Sequence, residues 1–200
     1  MSGKDTPPLV VGISGASGAI LGVRALDACR ELGVPTHLVV SRAEALTLKT
    51  ETGLGLGEVS AKASVTHKAL DVGAAIASGS FPTLGMVIAP CSVKTMSEIA
   101  TGVTSSLLTR AADVTLKERR RLVLMVRESP LHLGHLRTLV QLGEMGAVIA
   151  PPMPAFYAAP QTVAEMADQS VGRVLDLFGL DWRPVRRWGQ DLGPAVAEGG

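Results

Sequence analysis

Five short stretches of this chain are apolar throughout, without the polar alternation of a half-exposed strand. They alternate with segments whose apolar residues recur at helical spacing. Strands buried on both faces and separated by helices are typical of a parallel sheet covered on each side. We therefore predict a doubly wound, Rossmann- or flavodoxin-like α/β domain. The predicted strands are Leu9–Ser14, His37–Ser41, Gly85–Cys91, Leu122–Arg127 and Ala147–Ala150, and the predicted helices are Ile20–Leu32, Ala43–Thr50, Ser92–Ala100, Thr104–Arg120, Leu133–Met145 and Thr162–Phe178.

The composition is apolar for a chain of 200 residues, with 46% hydrophobic and only 18% charged residues. Such a chain either spans a membrane or hides surface against copies of itself. The apolar runs Gly85–Cys91 and Gly146–Pro160 are short against the roughly 20 residues of a spanning helix, and Met1–Pro8 has no apolar signal core. We expect a cytoplasmic homo-oligomer without a membrane partner. The net charge of +1 argues against a nucleic-acid partner.

The chain shows no internal repeat and no clear linker. We predict a flexible N-terminus at 1–8, one domain at 9–180, and a tail at 181–200 that lies at a subunit contact. The two cysteines, Cys29 and Cys91, stand in apolar surroundings and are interpreted as buried free thiols. The glycine-rich stretch Gly53–Lys68 carries no clear element.

The first predicted strand ends in the turn Gly12-Ile13-Ser14-Gly15-Ala16-Ser17-Gly18. A turn of glycine and serine that opens a helix offers backbone N–H groups and a positive dipole to an anion. Its G-x-x-G-x-x-G spacing differs from the dinucleotide fingerprint, and the second strand ends in Ser41-Arg42 where a ribose-binding acid would stand. This pattern disfavours NAD, and a turn without any ligand stays an alternative.

Polar residues also follow the other predicted strands, at the edge where such sheets bind ligands. Ser92 fits a helix cap as well as an anion site. The pair Arg127-Glu128 is either functional or an exposed salt bridge. Tyr157, the only tyrosine, lies among four prolines and is either a positioned hydroxyl or a half-buried aromatic.

Further cations lie on the predicted helices. Arg110 and Lys117 share one face with Asp113 between them, which is also the spacing of a surface ion pair. Arg173 interrupts an apolar series and is either buried with an anionic partner or solvated. Together with the strand-end hydroxyls, including Ser14, these cations favour a phosphate ligand bound without metal.

His132 and His135 are spaced as a metal-binding pair, but the sequence offers no third ligand beside them. We interpret them as a surface pair at the start of a helix. His37 and His67 are isolated in the sequence.

Five segments in order resemble the UbiX family of flavin prenyltransferases, and the resemblance runs from about Leu9 to Trp188. It implies a metal-independent enzyme that transfers a dimethylallyl group from dimethylallyl phosphate, or pyrophosphate, to N5 and C6 of reduced FMN. It further implies a UbiD-type decarboxylase as acceptor of the product, and a dodecamer with active sites at subunit contacts. The segments are GISGASGA from Gly12, APCSVKTMSEIATG from Ala89, RAADVTLKERR from Arg110, LVLMVRESP from Leu122 and GAVIAPPMPAFYAAPQ from Gly146.

The resemblance also implies roles for individual residues. Tyr157 and Arg173 would bind the prenyl phosphate with Lys117, while Glu51, Lys117, Glu128 and Arg110 would act in catalysis. The FMN-binding residues would be Gly15, Ala16, Ser17, Ser41, Ser92, Val93, Lys94, Thr95 and Arg127.

Two alternatives stay open. An FMN-dependent cysteine decarboxylase of related fold would carry P-x-M-N where this chain has Pro151-Pro152-Met153-Pro154. A non-catalytic FMN-binding subunit would not need the prenyl-phosphate residues. The chain departs from many family members at Gly134–Leu139, and the phosphate or pyrophosphate donor cannot be distinguished from the sequence.

Overall fold

The computed structural model describes residues 6–193, which form one six-stranded parallel sheet with helices on both faces. The strand order is β3-β2-β1-β4-β5-β6, so the chain winds outward from β1 in one direction and from β4 in the other. This confirms the predicted doubly wound fold. The strands are β1 (Leu9–Ile13), β2 (Thr36–Val40), β3 (Val65–His67), β4 (Gly85–Cys91), β5 (Arg121–Val126) and β6 (Val148–Ile149).

The two central strands are buried on both faces, as their unbroken apolar sequences require. Every residue of β1 and β4 is buried, and Leu9 of β1 pairs in register with Gly85 of β4. One core cluster joins the sheet to α1 and α7, and the other joins it to α4, α5 and α6. The helices are α1 (Ala19–Glu31), α2 (Glu44–Thr52), α3 (Leu56–Ser60), α4 (Val93–Thr101), α5 (Leu107–Lys117), α6 (Leu133–Glu144) and α7 (Val163–Asp176).

Side-chain caps set where several helices begin. The hydroxyl of Ser92 accepts the Thr95 amide at the start of α4, Ser106 accepts the Thr109 amide before α5, and Thr162 caps α7. The predicted helix at Thr104–Arg120 therefore begins later, at Leu107, and ends at Lys117. No helix among residues 6–193 has the length and apolarity to cross a membrane.

The stretch Gly53–Lys68 contains two elements that the sequence did not reveal, the five-residue α3 and the edge strand β3. Both are short, and Val65 and Thr66 of β3 are exposed, which removes the apolar pattern of a buried strand. Of the predicted terminal segments, residues 1–5 and 194–200 lie outside the described residues. The subunit contact of the tail stays a prediction.

Candidate functional site

The turn after β1 is fastened to the end of β4 by one buried hydroxyl. Ser14 Oγ donates to the Pro90 carbonyl at 3.1 Å and accepts the Ser92 amide at 2.8 Å. This hydroxyl was a candidate for ligand binding, but these two bonds use it for structure. Gly15 follows at a point where a Cβ atom would lie 2.8 Å from the Cβ of Ala43, so the backbone approach excludes a larger residue.

The N-terminus of α1 holds a carboxylate of the protein itself. Glu51 Oε2 accepts the amides of Gly18 and Ala19 at 2.8 and 3.0 Å. Partial burial alone would raise the pKa of Glu51, but these two bonds, the Ser17 hydroxyl and the charge of Arg127 outweigh it and lower the pKa. Glu51 therefore occupies the positive N-terminus of α1, and this helix end is not free to bind a phosphate.

The N-terminus of α4 is the open anion-binding position. Ser92 Oγ satisfies the Thr95 amide, and its carbonyl accepts the Met96 amide at 2.9 Å. In the part of the chain that the structure describes, the amides of Val93 and Lys94 have no acceptor. Their donors are thus available to an anion.

A cleft of about 290 Å³ lies beside this helix start, at the point where the strand order reverses between β1 and β4. In doubly wound sheets this is where ligands bind. Five residues predicted to bind FMN line it together, which are Gly15, Ser41, Ser92, Lys94 and Thr95.

Arg127 and Glu128 follow β5 at the same edge of the sheet. The Arg127 amide donates to the Cys91 carbonyl at 3.1 Å, and its guanidinium is close enough to Glu51 to lower the pKa of that carboxyl. Glu128 is exposed, and its Oε1 accepts the amide of the next residue, Ser129, at 2.9 Å. Arg127 does not pair with Glu128 in the salt bridges of the described residues, so the predicted alternative of an exposed pair is wrong.

Tyr157 and Arg173 lie near a second cavity of about 240 Å³, between the ends of β5 and β6 and helix α7. Arg173 lines this cavity with Met125, Ala150 and Gln169. Its side chain is 57% exposed and pairs with Asp176, so Arg173 is both solvated and partnered by an acid. The hydroxyl of Tyr157 faces Gln169 Nε2 at 3.4 Å.

Lys117 does not join these residues within one chain. It is the last residue of α5, four residues before the start of β5, and therefore lies at the amino edge of the sheet. Its ammonium group pairs with the neighbouring Glu118. Arg110, near the start of the same helix, forms an ion pair with Asp113 at 2.9 Å. This is the surface pairing that the sequence left as an alternative.

The two histidine pairs differ from one another. His132 caps α6 by accepting the Gly134 amide at Nδ1, so the pair stands at a helix start as predicted. The predicted surface position holds for His132 only, because His135 is partly buried and its Nδ1 has no hydrogen-bond partner among the described residues. His37 and His67, far apart in sequence, meet across β2 and β3 with 3.0 Å between ring nitrogens. Burial lowers the pKa of both. The described residues contain no group of three or more potential metal ligands among His, Cys, Asp and Glu.

Sequence reasoning missed one buried acid beside the cleft. Glu44 in the first turn of α2 is fully buried, and neither carboxyl oxygen has a hydrogen-bond partner among the described residues. Burial, with a smaller contribution from the negative charge of Glu51, raises the pKa of Glu44 to about 7. The available signal was its spacing, since residues seven apart share one helix face with Glu51.

Comparisons with known proteins show the family to which the chain belongs. Residues 2–176 match the protein family described as Flavoprotein. The flavin prenyltransferase UbiX of Escherichia coli strain K12 is 60% identical over 173 residues, which cover 86% of this chain and 92% of that protein.

Solved structures show the same relationship. The crystal structure of AnUbiX (PadA1) in complex with FMN and dimethylallyl pyrophosphate has a TM-score of 0.90 at 47% identity and covers 92% of this chain and 97% of its own. A dodecameric FMN-dependent UbiX-like decarboxylase from Escherichia coli O157:H7 has a TM-score of 0.88 at 48% identity, with coverages of 90% and 98%. The cysteine decarboxylase TvaF has a TM-score of 0.60 at 15% identity, which is a likeness of fold alone.

Proposed function

The chain belongs to the Flavoprotein family and within it to the UbiX flavin prenyltransferases, and from this membership we propose how its own residues carry out the reaction. The enzyme joins a dimethylallyl group to reduced FMN. We propose dimethylallyl phosphate or pyrophosphate as the donor, with N5 and C6 of the flavin as the positions of attachment. The prenylated FMN passes to a UbiD-type decarboxylase in the cytoplasm.

One observation carries the FMN assignment. The start of α4 presents two amides without acceptors, at Val93 and Lys94, beside a cleft lined by the hydroxyls of Ser41, Ser92 and Thr95. Amides at a helix N-terminus together with neutral hydroxyls suit a phosphate monoester. The donor set therefore fits the phosphate of FMN, with Gly15, Ala16 and Ser17 forming the facing wall and Arg127 adding positive charge.

Glu51 is suited to a proton-transfer role. Two amides hold its carboxylate at a fixed position near Arg127, and its pKa is lowered, so it is charged at neutral pH. Bond formation at N5 displaces the N5 proton and the donor's phosphate, and bond formation at C6 transfers a proton from C6 to the alkene of the prenyl group, so a carboxylate at this place can accept or relay these protons. Glu128 stands beside Arg127 at the same edge of the sheet and is the second acid assigned to proton transfer.

Tyr157 and Arg173 suit the leaving phosphate of the prenyl donor. Arg173 has four N–H donors beyond the one that binds Asp176, and a guanidinium stabilises the negative charge that develops on a departing phosphate. No metal is needed for this part of the chemistry when fixed cations supply the charge.

Lys117 completes the site only if a neighbouring copy supplies it, because it lies at the amino edge of its own sheet, whereas Arg110 follows one helical turn after Ser106, which lines the cleft. Large apolar side chains are exposed on α6 and on the loop after β6, among them Val140 at 61% and Phe156 at 82%. Surface of this kind favours self-association. We propose a homo-oligomer, a dodecamer, whose contacts bring α5 of one copy to the site of another.

The reaction is tested by anaerobic incubation of the protein with reduced FMN and dimethylallyl phosphate, and in parallel with the pyrophosphate. Mass spectrometry of the released flavin should show the addition of C5H8. Absence of this adduct with both donors contradicts the proposed function. Release of CO2 from a cysteine peptide would instead support the cysteine decarboxylase alternative.

A further inference from the structure

The chain returns along α7 after that helix ends, in a segment that we call the return segment, residues 182–192. This segment packs tightly against α1 and α7. The Trp182 side chain is buried, its indole Nε1 donates to Glu31 Oε2 at 2.7 Å, and Arg24 lies over its ring. A Cβ atom on Gly172 of α7 would lie 1.8 Å from a methyl group of Val185, so the segment packs directly against the helix backbone.

Gln169 joins the return segment to Tyr157. This side chain is only 4% exposed and exchanges two hydrogen bonds with the backbone of Arg186, from the Arg186 amide at 3.0 Å and to its carbonyl at 2.9 Å. The same amide nitrogen of Gln169 faces the Tyr157 hydroxyl. The guanidinium of Arg186 donates to the carbonyl of Ala158 at 2.9 Å, one residue from Tyr157.

Arg187 joins the return segment to Arg173 through a shared carboxylate. Arg187 donates to both oxygens of Asp176, at 2.8 and 2.7 Å, and Arg173 donates to the same carboxylate. Partial burial would raise the pKa of Asp176, but Arg187 and then Arg173 outweigh it and lower the pKa. Asp181, which is exposed, also accepts from Arg187 at 3.0 Å. Asp176 therefore stays charged and holds Arg173 from one side.

Trp188 joins the return segment to Tyr157 by a direct contact. Its ring meets the ring of Tyr157 edge to face, with 6.1 Å between centroids. The return segment thus connects to both side chains assigned to the prenyl phosphate. Trp188 contacts Tyr157 directly, Arg186 acts on Tyr157 through Gln169, and Arg187 acts on Arg173 through Asp176.

We propose that the return segment, acting through Gln169 and Asp176, positions Tyr157 and Arg173 for the phosphate of the prenyl donor. This inference rests on the proposed function, which assigns these two residues to that phosphate. Side chains that are already held in place lose less conformational freedom when a phosphate binds, so affinity for the donor rises. Arg186 and Arg187 are positioning residues in this proposal, since they act through Gln169 and Asp176.

The test compares Arg187→Gln with wild type and with Arg183→Gln. Arg183 belongs to the same segment but is 93% exposed, and its one ion pair among residues 6–193 is with Asp181, at 3.7 Å, so it serves as a matched control. We expect Arg187→Gln to raise the KM for dimethylallyl phosphate about tenfold, with the Kd for FMN and the kcat at saturating donor each within about threefold of wild type. Arg187→Lys keeps the charge but not the bidentate geometry, so its KM for the donor should lie between those of wild type and Arg187→Gln.

Each outcome is decisive. A wild-type enzyme that forms the adduct and an Arg187→Gln variant with unchanged KM overturn the inference and leave the proposed function standing. A parallel loss of donor binding, FMN binding and thermal stability in Arg187→Gln also overturns it, because that pattern indicates a structural role only. Absence of the adduct in wild type overturns the proposed function and this inference with it.

Discussion

The carboxyl edge of the sheet has two sides that are built differently. The flavin side, at the ends of β1 and β4, presents backbone amides and hydroxyls of residues that directly follow neighbouring strands. The phosphate side, around Tyr157 and Arg173, consists of side chains held by a segment that is distant from the strands. The first side follows from the topology of the sheet, whereas the second requires specific tertiary contacts.

The two sides also differ in the surroundings of one acid each, the buried Glu44 and the partly buried Asp176. Glu44, under the flavin side, is unpaired and its pKa is raised, whereas Asp176, on the phosphate side, is paired with Arg187 and its pKa is lowered. Rising pH should therefore destabilise the flavin side, because Glu44 becomes charged there, and leave the ion pairs of the phosphate side unchanged. Three experiments sharpen this comparison.

The largest effect is expected at Glu51. Glu51→Gln keeps an oxygen that can accept the amides of Gly18 and Ala19, so FMN binding should stay within about threefold of wild type. Loss of the carboxylate should lower kcat about 100-fold, the lower range for a general base. Tyr157→Phe is the counterpart on the phosphate side and should mainly raise the KM for the donor. The measurements are single-turnover adduct formation and flavin titration, and an unchanged kcat would remove Glu51 from the mechanism.

Glu44→Gln should change the pH dependence of stability. In the unfolded chain Glu44 loses its proton near pH 4.5, but in the folded chain it keeps the proton until about pH 7. Folded wild type therefore binds more protons over this range, and its stability falls as pH rises through it, by at most about 3 kcal/mol.

Glu44→Gln removes this fall, so the variant should be more stable than wild type at pH 8 and equally stable near pH 4.5. Urea unfolding at both pH values measures the difference. The exposed Glu144→Gln on α6 provides the control and should show no such dependence. A variant with the same pH slope as wild type would show that Glu44 is not responsible.

The smallest effect is expected from removing one helix cap on each side. Ser92→Ala and Thr162→Ala each remove a hydroxyl that accepts one amide, and each should cost about 1 kcal/mol of unfolding free energy. Only Ser92→Ala should also weaken FMN binding, by several-fold, because only that cap adjoins the cleft. Thermal unfolding and flavin titration test both variants, and equal effects on FMN would contradict the distinction between the sides.

The flavin side was largely predictable from the sequence. Gly15, Ser41 and Ser92 stand at the ends of predicted strands, and parallel strands bring their carboxyl ends to one edge. The fold, predicted from the alternation of apolar strands and helices, and the family and its reaction, predicted from five ordered motifs, are confirmed. The roles of individual residues stay predictions, and for Glu51 and Arg173 they came from the resemblance rather than from physical reasoning.

The remaining features depended on three-dimensional contacts that no local pattern carries. The pairing of Asp176 with Arg187 joins residues in a helix and in an irregular segment, and helical periodicity says nothing about such a partner. Glu44 has an ordinary position at the start of a helix, so only the packing around it reveals its burial. Lys117 shares a helix face with Arg110, yet its place at the amino edge follows from the length of α5.

The amides of Val93 and Lys94 have a consequence for mutational tolerance. A backbone donor survives every substitution at its position except proline, which alone lacks the N–H group. The flavin side is therefore robust to sequence drift, whereas on the phosphate side one changed codon at Tyr157, Arg173 or Arg187 deletes a contact outright. A shift in the choice of prenyl donor would need the fewest genetic changes on the phosphate side.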